Sequence, residues 1–492
     1  MQEIEKKAGR AEQKLKIMIV STETVPFIKV TNTSEFVYNT SRSYLNRHHE
    51  VLVVMPLFRS IKTKYESSLR YITNFTVDMN FSIHTASILS LDVEGVMHYF
   101  IDSETYFNRN RIIGEEDDCE RFIFFNKAVI KLIDELDLAP DIINVQDFTT
   151  SLIPSYVKKR AISDERFQKI KTVLTLHNIR NQGIYPAEDS VACELPSSMI
   201  MDDEYKFYPS VNFLKSGIES SDYITFPSPS FKEECQSPYS AERLDKIFRA
   251  NSYKMIGILD GIDYMRYDPS RDMSIFQNFD IDNLEDRAVN KMGLMNYYNL
   301  TGADRILMCV VGKLYTRKGI DLLVDNMEFI LENNINLIVM GTGEPNLEDE
   351  LIDYQLKYPE HLSVKLYMNE KEAVRTFAGC DFHLMPSRSE IASINQLIAM
   401  RYGAVPIVRE TGTLKDSVRE YNKFTKKGEG IVFTNQTSRD FRNAILKAKD
   451  IYYNKKDILN RMQLNGMKKD FSWQETADIY LQVFKELVEI GN

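Results

Sequence analysis

Three charged side chains in the second half of the chain follow short apolar runs, where they could act on a charged ligand. Lys313 and Lys318 come directly after the apolar run Ile306–Gly312. Two cations at this spacing could pair with the oxygens of a diphosphate and stabilise charge on a leaving group. Glu390 follows the run Phe382–Pro386, and its carboxylate could stabilise positive charge on a sugar ring. For the lysines, ordinary solvated charge at the start of a helix is the alternative, which spacing alone does not exclude.

Polar residues in the first half follow apolar runs in the same way. Lys29 lies in the loop after the first run and precedes the amino end of a predicted helix, where free amides and the helix dipole favour a phosphate. An exposed lysine on a loop is the simpler interpretation of Lys29 from this segment alone. Asp147 and His177 each come just past a strand, and a histidine there has a better claim than usual to a binding site. The three runs are Lys16–Ser21, Asp141–Val145 and Val173–Leu176.

The elements that position these residues alternate between strand and helix. A strand, a helical pattern and a second strand open the chain, which predicts a parallel sheet with right-handed crossovers. A second series of the same kind begins at Ile306, and Gly341 and Gly343 end one of its strands in a weak glycine-loop pattern. In the stretch from Met385 to Leu414 we expect Glu390 at the amino end of a helix, with Gly403 just past its carboxyl end.

The predicted fold class is therefore α/β, with two Rossmann-like domains whose carboxyl edges face a central cleft. We expect an N-terminal extension over residues 1–15, a first domain over 16–264 and a second over 265–472. The final helix, 473–492, is expected to pack back on the first domain. At 492 residues the chain is long enough for two or three domains.

Composition excludes several classes of protein. The net charge of −10 without a basic block argues against nucleic-acid binding. No apolar run approaches the ~18 residues that a membrane helix needs, and the charged first residues do not form a signal peptide. The five scattered cysteines lack any CxxC pair, so neither a disulfide framework nor a metal site is predicted. A cytoplasmic location is the simplest expectation, and the sequence indicates no oligomeric state.

Motifs along nearly the whole chain carry a family resemblance. In the first half they are SxExxPFxK from Ser21, PDIINVQDFTTSL from Pro140, LHNIRNQGIYP from Leu176, NFLKSGI from Asn212, SPSF from Ser228 and GILDGID from Gly257. In the second half they are VVGKLYTRKGIDLL, GTGEPNLE, MPSRSE, RYGAVPIVRETGTL and DFSW. The chain resembles bacterial glycogen synthase and plant starch synthase, which are glycosyltransferases of the GT-B fold.

The resemblance implies an activity and a set of roles. It implies transfer of glucose from ADP-glucose, or another nucleotide-glucose, to an α-1,4-glucan with retention of configuration and without a metal or cofactor. The partners would be the nucleotide sugar and the glucan acceptor. Glu390, Lys318, Lys313, Asp147 and His177 would be the catalytic residues. The donor-binding residues would be Lys29, Lys313, Lys318, Gly341, Gly343, Ser393, Thr411 and Gly412.

Several family glycines and histidines are replaced in this chain. Thr31, Ser393 and Thr413 stand where the family has glycines, and β-branched residues tolerate positive φ poorly. Forced strain at such positions costs about 1–3 kcal/mol each. Asn144, Gln146 and Thr149 stand where the family has histidines around Asp147, and Lys313 replaces an arginine. The alternative is therefore a catalytically impaired paralogue that binds glucan or acts as a scaffold.

Overall fold

The computed structural model describes residues 13–79, 82–195 and 210–490, which form two compact units. The first unit contains the described residues up to Pro227, together with Lys232–Ile258 and the chain from Trp473 onward. The second contains Ser228–Phe231 and Leu259–Ser472. Most of the expected extension 1–15 lies outside the described residues.

The boundary between the units falls earlier than residue 264. The backbone amide of Ile262 donates to the carbonyl of Phe471 (2.8 Å), and Ile262 forms a parallel bridge with Ser472. Both partners belong to the second unit. Because of this pairing, residues 259–264 belong to the second unit.

The described part of the first unit contains a nine-stranded sheet and a two-stranded sheet. The strands are β1 (Lys16–Val20), β2 (Glu50–Pro56), β3 (Arg70–Asp78), β4 (Ile83–Val93), β5 (Val96–Asp102), β6 (Ile142–Gln146), β7 (Lys171–Thr175), β8 (Ile184–Pro186), β9 (Ser210–Asn212), β10 (Tyr223–Phe226) and β11 (Met255–Gly257). The large sheet has the order β11-β10-β7-β6-β1-β2-β5-β4-β3, and only the β5-β4-β3 edge is antiparallel. β8 and β9 pair antiparallel with each other.

Helices cover this sheet. They are α1 (Asn32–Asn46), α2 (Arg59–Tyr65), α3 (Glu104–Phe107), α4 (Asp118–Glu135), α5 (Ile153–Ala161), α6 (Glu165–Lys169), α7 (Phe213–Ser220), α8 (Pro229–Glu234) and α9 (Asp245–Ala250). β1 reads KIMIV, and its last four residues are all buried. A strand that is covered on both faces needs such a continuous apolar run, which explains why the sequence predicts it well.

The second unit contains one parallel sheet of six strands among its described residues. They are β12 (Ile306–Val311), β13 (Ile335–Met340), β14 (Leu362–Lys365), β15 (Phe382–Met385), β16 (Val405–Arg409) and β17 (Ile431–Phe433), in the order β14-β13-β12-β15-β16-β17. Its helices are α10 (Arg287–Tyr297), α11 (Ile320–Val324), α12 (Met327–Glu332), α13 (Pro345–Lys357), α14 (Glu370–Gly379), α15 (Asn395–Arg401), α16 (Gly412–Ser417), α17 (Ser438–Asn454) and α18 (Lys456–Lys468). The expected α/β class is confirmed. The sheet of the second unit is parallel, and that of the first unit is parallel except for its antiparallel β5-β4-β3 edge.

Helical spacing predicts one helix over Ile320–Glu332 and a helical stretch over Asp440–Met467, and the structure divides each of them. α11 and α12 are separated at Asp325 and Asn326, where the Asn326 side chain donates to the carbonyl of Leu322 (2.7 Å). α17 and α18 meet at Lys455, whose φ of −141° and ψ of 51° are not helical. Apolar periodicity continues across both breaks, so it could not reveal them.

The last helix, α19 (Trp473–Ile490), packs in the first unit although it follows the second unit in the chain. Trp473 and Tyr480 make edge contacts with Phe36 of α1, with ring centroids 5.9 and 5.3 Å apart. Phe484 contacts Tyr44 in the same way. These aromatic pairs fix α19 against α1.

All five cysteines are buried free thiols. Within the described ranges, no helix is both long and apolar enough to cross a bilayer.

Candidate active site

In each of the two large sheets, the order in which successive strands are added changes direction at an inner strand. In the first unit β1 lies between β2 and β6, and in the second β12 lies between β13 and β15. Ligands of open α/β sheets bind at the carboxyl ends of strands next to such a reversal. The loops there carry Lys29 and Asp147 in the first unit, and Lys313, Lys318 and Glu390 in the second.

Asp147 is held in a strained backbone conformation directly after β6. Its φ of 52° and ψ of −164° lie in a region that is almost exclusive to glycine, at a cost of about 1–3 kcal/mol. Its Oδ1 atom accepts from the backbone amides of His177 (2.8 Å) and Asn178 (3.0 Å). Thr33, in the first turn of α1, donates to Oδ2 at 3.4 Å. The loops after β1, β6 and β7 are therefore joined through one carboxyl group.

Burial makes both titratable groups of this cluster electrically neutral near pH 6. Desolvation raises the pKa of Asp147 to about 7, although the two amide hydrogen bonds act in the opposite direction. Desolvation also lowers the pKa of His177 to about 3. The imidazole packs against Phe36, with ring centroids 4.8 Å apart. The first unit thus offers uncharged hydrogen-bonding groups.

The loop that carries Lys29 is bound by a buried carboxylate. The backbone amides of Val30 and Thr31 both donate to Glu23 Oε2, each at 2.8 Å. Lys29 itself forms an ion pair with Glu35 (2.7 Å). A carboxylate of the same loop therefore occupies the two backbone amides that precede α1. Glu23, only 6% exposed, is the glutamate of the SxExxPFxK motif, to which the sequence analysis assigns no role.

Glu390 and Lys318 form an ion pair in the second unit. Sequence patterns could not predict this pair, because the two residues follow β15 and β12, which are far apart along the chain. Ser387 Oγ donates to Glu390 Oε2 at 2.9 Å. Glu390 is 2% exposed, whereas the Lys318 side chain is 27% exposed. The structure thus unites two of the predicted residues and adds Ser387.

The loop around Glu390 is longer than the sequence analysis expects. α15 begins only at Asn395, so Glu390 does not stand at the amino end of that helix. Arg409 donates to the carbonyl of Ser387 (2.7 Å), and the Arg388 amide donates to the carbonyl of Arg317 (2.9 Å). The loop is held by backbone contacts instead of helix capping. Gly403, at φ 73°, follows α15 as expected.

Gly412 supports Glu390 from the next loop. Its φ is 45°, and a Cβ atom there would lie 1.8 Å from the carbonyl oxygen of Glu390. The amide of Thr413 donates to that same oxygen at 3.1 Å. Thr411 is the N-cap residue of α16 and has an extended backbone. The amide of Ser393 donates to the Thr413 hydroxyl at 3.4 Å. Gly412 is therefore a packing requirement of the Glu390 loop.

Gly341 and Gly343 are also required by close backbone packing. Cβ atoms at these positions would lie 1.7 Å from the carbonyl oxygen of Gly312 and 1.9 Å from that of Leu314. The amide of Gly343 already donates to the carboxylate of Glu348. The structure therefore explains these glycines without a ligand.

Lys313 is exposed, and among the residues that the structure describes it makes no ion pair or hydrogen bond. It lies in the loop that also carries Lys318, after β12. A lysine in this state keeps its charge available for a ligand.

The strain expected from the replaced glycines is absent. Thr31, at φ −126°, is the N-cap of α1, and its hydroxyl accepts from the Thr33 amide. Thr413 lies in the first turn of α16, and Ser393 likewise lacks a positive φ. The expectation of forced backbone strain at these three positions is wrong, because each residue adopts an ordinary conformation.

Among the described residues, no group of histidine, cysteine and carboxylate side chains could hold a metal ion.

Comparisons with known proteins agree with this architecture. The family model described as the starch synthase catalytic domain matches residues 16–250, and that of glycosyl transferases group 1 matches residues 299–466. The glycogen synthase of Finegoldia magna is 34% identical over 96% of this chain and 100% of its own length. That of Clostridium botulinum strain Alaska E43 is 37% identical over 96% and 99%.

A solved structure shows the same arrangement of elements. The catalytic domain of starch synthase IV from Arabidopsis thaliana, bound to ADP and acarbose, superposes with a TM-score of 0.85 at 25% identity. The match covers 97% of this chain and 100% of that one. With relatives of this identity along almost its full length, the chain belongs to the glycogen synthase and starch synthase family of glycosyltransferases.

Proposed function

We propose that this chain transfers glucose from a nucleotide-glucose to the non-reducing end of an α-1,4-glucan, with retention of configuration. ADP-glucose is the donor that we place first, because the related starch synthase IV structure contains ADP. A cytoplasmic location stays a prediction from the sequence.

The observation that carries this proposal is the buried Glu390 paired with Lys318, in whose loop the exposed Lys313 also lies. As the bond between sugar and diphosphate breaks, negative charge grows on the diphosphate and positive charge on the sugar. Lys313 and Lys318 would offset the first and Glu390 the second. Without a donor, Lys318 and Glu390 are paired with each other. A bound diphosphate would attract Lys318 and separate it from Glu390.

The first unit would supply sugar recognition. Asp147 and His177 are buried and neutral near pH 6, so they can hydrogen-bond hydroxyl groups without the cost of desolvating a charge. Lys29 would contact the diphosphate only after it leaves Glu35. Each role follows the family resemblance and is compatible with the local geometry.

The main physical argument for a catalytically impaired paralogue no longer holds. Its argument rests on strain at Thr31, Ser393 and Thr413, and none of these residues has a positive φ. The buried Glu390 also retains its cationic partner. We therefore favour the enzyme.

The test measures incorporation of labelled glucose from ADP-glucose and UDP-glucose into glycogen. Glu390→Gln should lower the rate at least about a hundredfold, the usual effect of losing one group that stabilises transition-state charge. Glu332→Gln is the matched control, because Glu332 is an exposed glutamate at the end of α12 in the same unit. Products should be fully digested by an exo-acting α-1,4-glucan hydrolase. Equal rates in wild type and Glu390→Gln, or no incorporation from either donor, would refute the proposal.

A further inference from the structure

A chain of buried hydrogen bonds runs from His177 across the sheet of the first unit. It lies where the family carries histidines and this sequence does not. Its bonds join His177 Nε2 to Gln146 Oε1 (2.9 Å), Gln146 Nε2 to Asn144 Oδ1 (2.9 Å), Asn144 Nδ2 to Thr175 Oγ1 (2.8 Å), and Thr225 Oγ1 to Thr175 Oγ1 (2.9 Å). His177 is 7% exposed and the other four residues are at most 2% exposed.

One backbone carbonyl determines the direction of the first part of this chain. Asn144 Nδ2 lies 3.0 Å from the carbonyl oxygen of Val173, which can only accept a hydrogen bond. The amide nitrogen of Asn144 must therefore face β7, and its Oδ1 atom must face Gln146. Because Oδ1 can only accept, Gln146 presents its NH₂ group to Asn144 and its Oε1 atom to His177.

This direction determines which ring nitrogen of His177 carries the proton. An amide oxygen opposite Nε2 requires Nε2 to be the donor, so a neutral imidazole has a bare Nδ1. His177 Nδ1 is buried and has no hydrogen-bond partner among the described residues. A buried acceptor of this kind is costly unless a ligand satisfies it.

We propose that Gln146, oriented by Asn144, is a positioning residue that locks His177 in the neutral Nε2–H tautomer, so that Nδ1 accepts a hydrogen bond from a hydroxyl of the bound sugar. The sugar part of this inference rests on the proposed function, whereas the tautomer does not. A ring nitrogen that can only accept selects a hydroxyl donor and rejects a group without one.

The surroundings of His177 favour the same state of protonation. Asp147 contacts it, but through the backbone amide of His177, and Glu23 lies beyond Asp147 with an electrostatic effect on that carboxyl group. Phe36 covers the ring from α1. Burial lowers the pKa of His177 to about 3, and the imidazole stays neutral over the ordinary working range of pH.

The chain offers a set of matched variants. Gln146→Leu removes the acceptor for Nε2–H. Gln146→His is the conservative rescue, because an imidazole can donate to Asn144 with one nitrogen and accept from His177 with the other. Thr225→Val is the control for general core damage, since the carbonyl of Val173 keeps Asn144 oriented without Thr225.

The first measurement is nitrogen NMR of histidine-labelled protein without ligand, with His177→Gln used to assign the signal among the seven histidines. We expect a protonated Nε2 and a bare Nδ1 from pH 5 to 8 in wild type, Thr225→Val and Gln146→His. Gln146→Leu should lose this pattern. A protonated Nδ1 in wild type, a titration within that range, or an unchanged pattern in Gln146→Leu would overturn the lock.

The second measurement is kinetic and uses a panel of mono-deoxy nucleotide-glucose analogues. Gln146→Leu should raise KM about tenfold for the parent donor and leave it nearly unchanged for one analogue, the one that lacks the hydroxyl bound by Nδ1. An equal KM increase for every analogue would overturn the hydroxyl contact. If wild type transfers no sugar at all, the proposed function fails, and the NMR measurement still decides the lock.

Discussion

The two clusters of predicted site residues, one in each unit, bury polar groups in opposite ways. In the first unit a carboxyl group and an imidazole are buried as neutral groups. Backbone amides bind the carboxyl group, and an amide side chain binds Nε2 of the imidazole, whose Nδ1 has no partner among the described residues. In the second a carboxylate is buried as an ion and is satisfied by Lys318 and Ser387. Neutral groups discriminate among sugar hydroxyls at low desolvation cost, whereas mobile cations can follow charge as it moves during bond cleavage. Under the proposed function, sugar recognition would therefore belong to the first unit and charge stabilisation to the second.

Removing Lys318 should have the largest effect on stability and turnover. A small effect would contradict the difference drawn between the two clusters. Lys318→Met leaves Glu390 buried without its cation, which costs about 3 kcal/mol of stability, the lower end of the range for a buried pair. Turnover should fall about a hundredfold or more. The double variant Lys318→Met with Glu390→Gln should recover most of the stability but none of the activity.

The control for Lys318→Met is Lys357→Met, which breaks the exposed pair with Glu328. It should leave both stability and turnover nearly unaltered, because an exposed ion pair contributes little. Equal stability losses for the two lysine variants, measured by denaturant unfolding, would contradict a buried and essential pair.

The contacts that Gly412 and Thr413 make with the carbonyl oxygen of Glu390 can be tested by substitution at each position. Gly412→Ala should cost about 3 kcal/mol or more, because a Cβ atom would lie 1.8 Å from the Glu390 carbonyl oxygen at a positive φ. Thr413→Gly restores a family residue, yet it should lower stability by less than about 1 kcal/mol and should not raise turnover. Thermal unfolding and initial rates check both. A faster Thr413→Gly enzyme would show that the threonine impairs the site.

The neutral pair in the first unit predicts a particular dependence of stability on pH. When the chain unfolds between about pH 4 and 6.5, Asp147 releases a proton that it holds when folded, and His177 takes one up. The two effects cancel in the wild type. Asp147→Asn leaves only the histidine, whose folded pKa is lowered, so the free energy of unfolding should fall as pH falls from 6.5. The slope approaches about 1.4 kcal/mol per pH unit.

His177→Gln should give the opposite slope. Asp147 alone then has a raised folded pKa, so the free energy of unfolding should fall as pH rises from about 4 to 7. Hydrogen exchange of β6 and β7 amides reports the stability of this unit directly. Parallel pH curves for wild type and both variants would contradict the neutral state of the pair.

The smallest expected effect concerns Lys29. Glu35→Gln removes the ion-pair partner of this exposed lysine. It should lower KM for the nucleotide sugar about two- to fivefold at low salt, the effect of losing a pair that contributes about 0.2–1 kcal/mol. The gain should shrink as salt rises. Glu94→Gln, which breaks the pair with Arg42 on the same helix, is the control and should leave KM unchanged. A higher KM in Glu35→Gln would mean that Glu35 positions Lys29 for the donor.

Much of the fold follows from local patterns in the sequence. Continuous apolar runs predict β1, β6 and β12, and the residues after them consequently reach the carboxyl edges. The φ of 73° at Gly403 follows from its place past a helix. Local pattern suffices here because each feature depends on residues only a few positions apart.

The contacts inside the site could not be predicted in this way. Glu390 meets Lys318 only because β12 and β15 are neighbours, and the direction of Gln146 depends on a carbonyl of another strand. The error over Thr31 and Thr413 has a related cause. A glycine in a family motif does not reveal whether its φ is positive, and only the backbone of this chain shows that here it is not.

The return of α19 to the first unit has a consequence for how the protein is made. On the ribosome, the aromatic contacts of Phe36 and Tyr44 must wait until Trp473–Ile490 has been synthesised. The second unit is complete in the chain by Ser472, so it can fold while the first unit still lacks its final helix. A nascent or prematurely ended chain therefore exposes the apolar faces of α1 that α19 covers, and quality control by chaperones and proteases would act on the first unit.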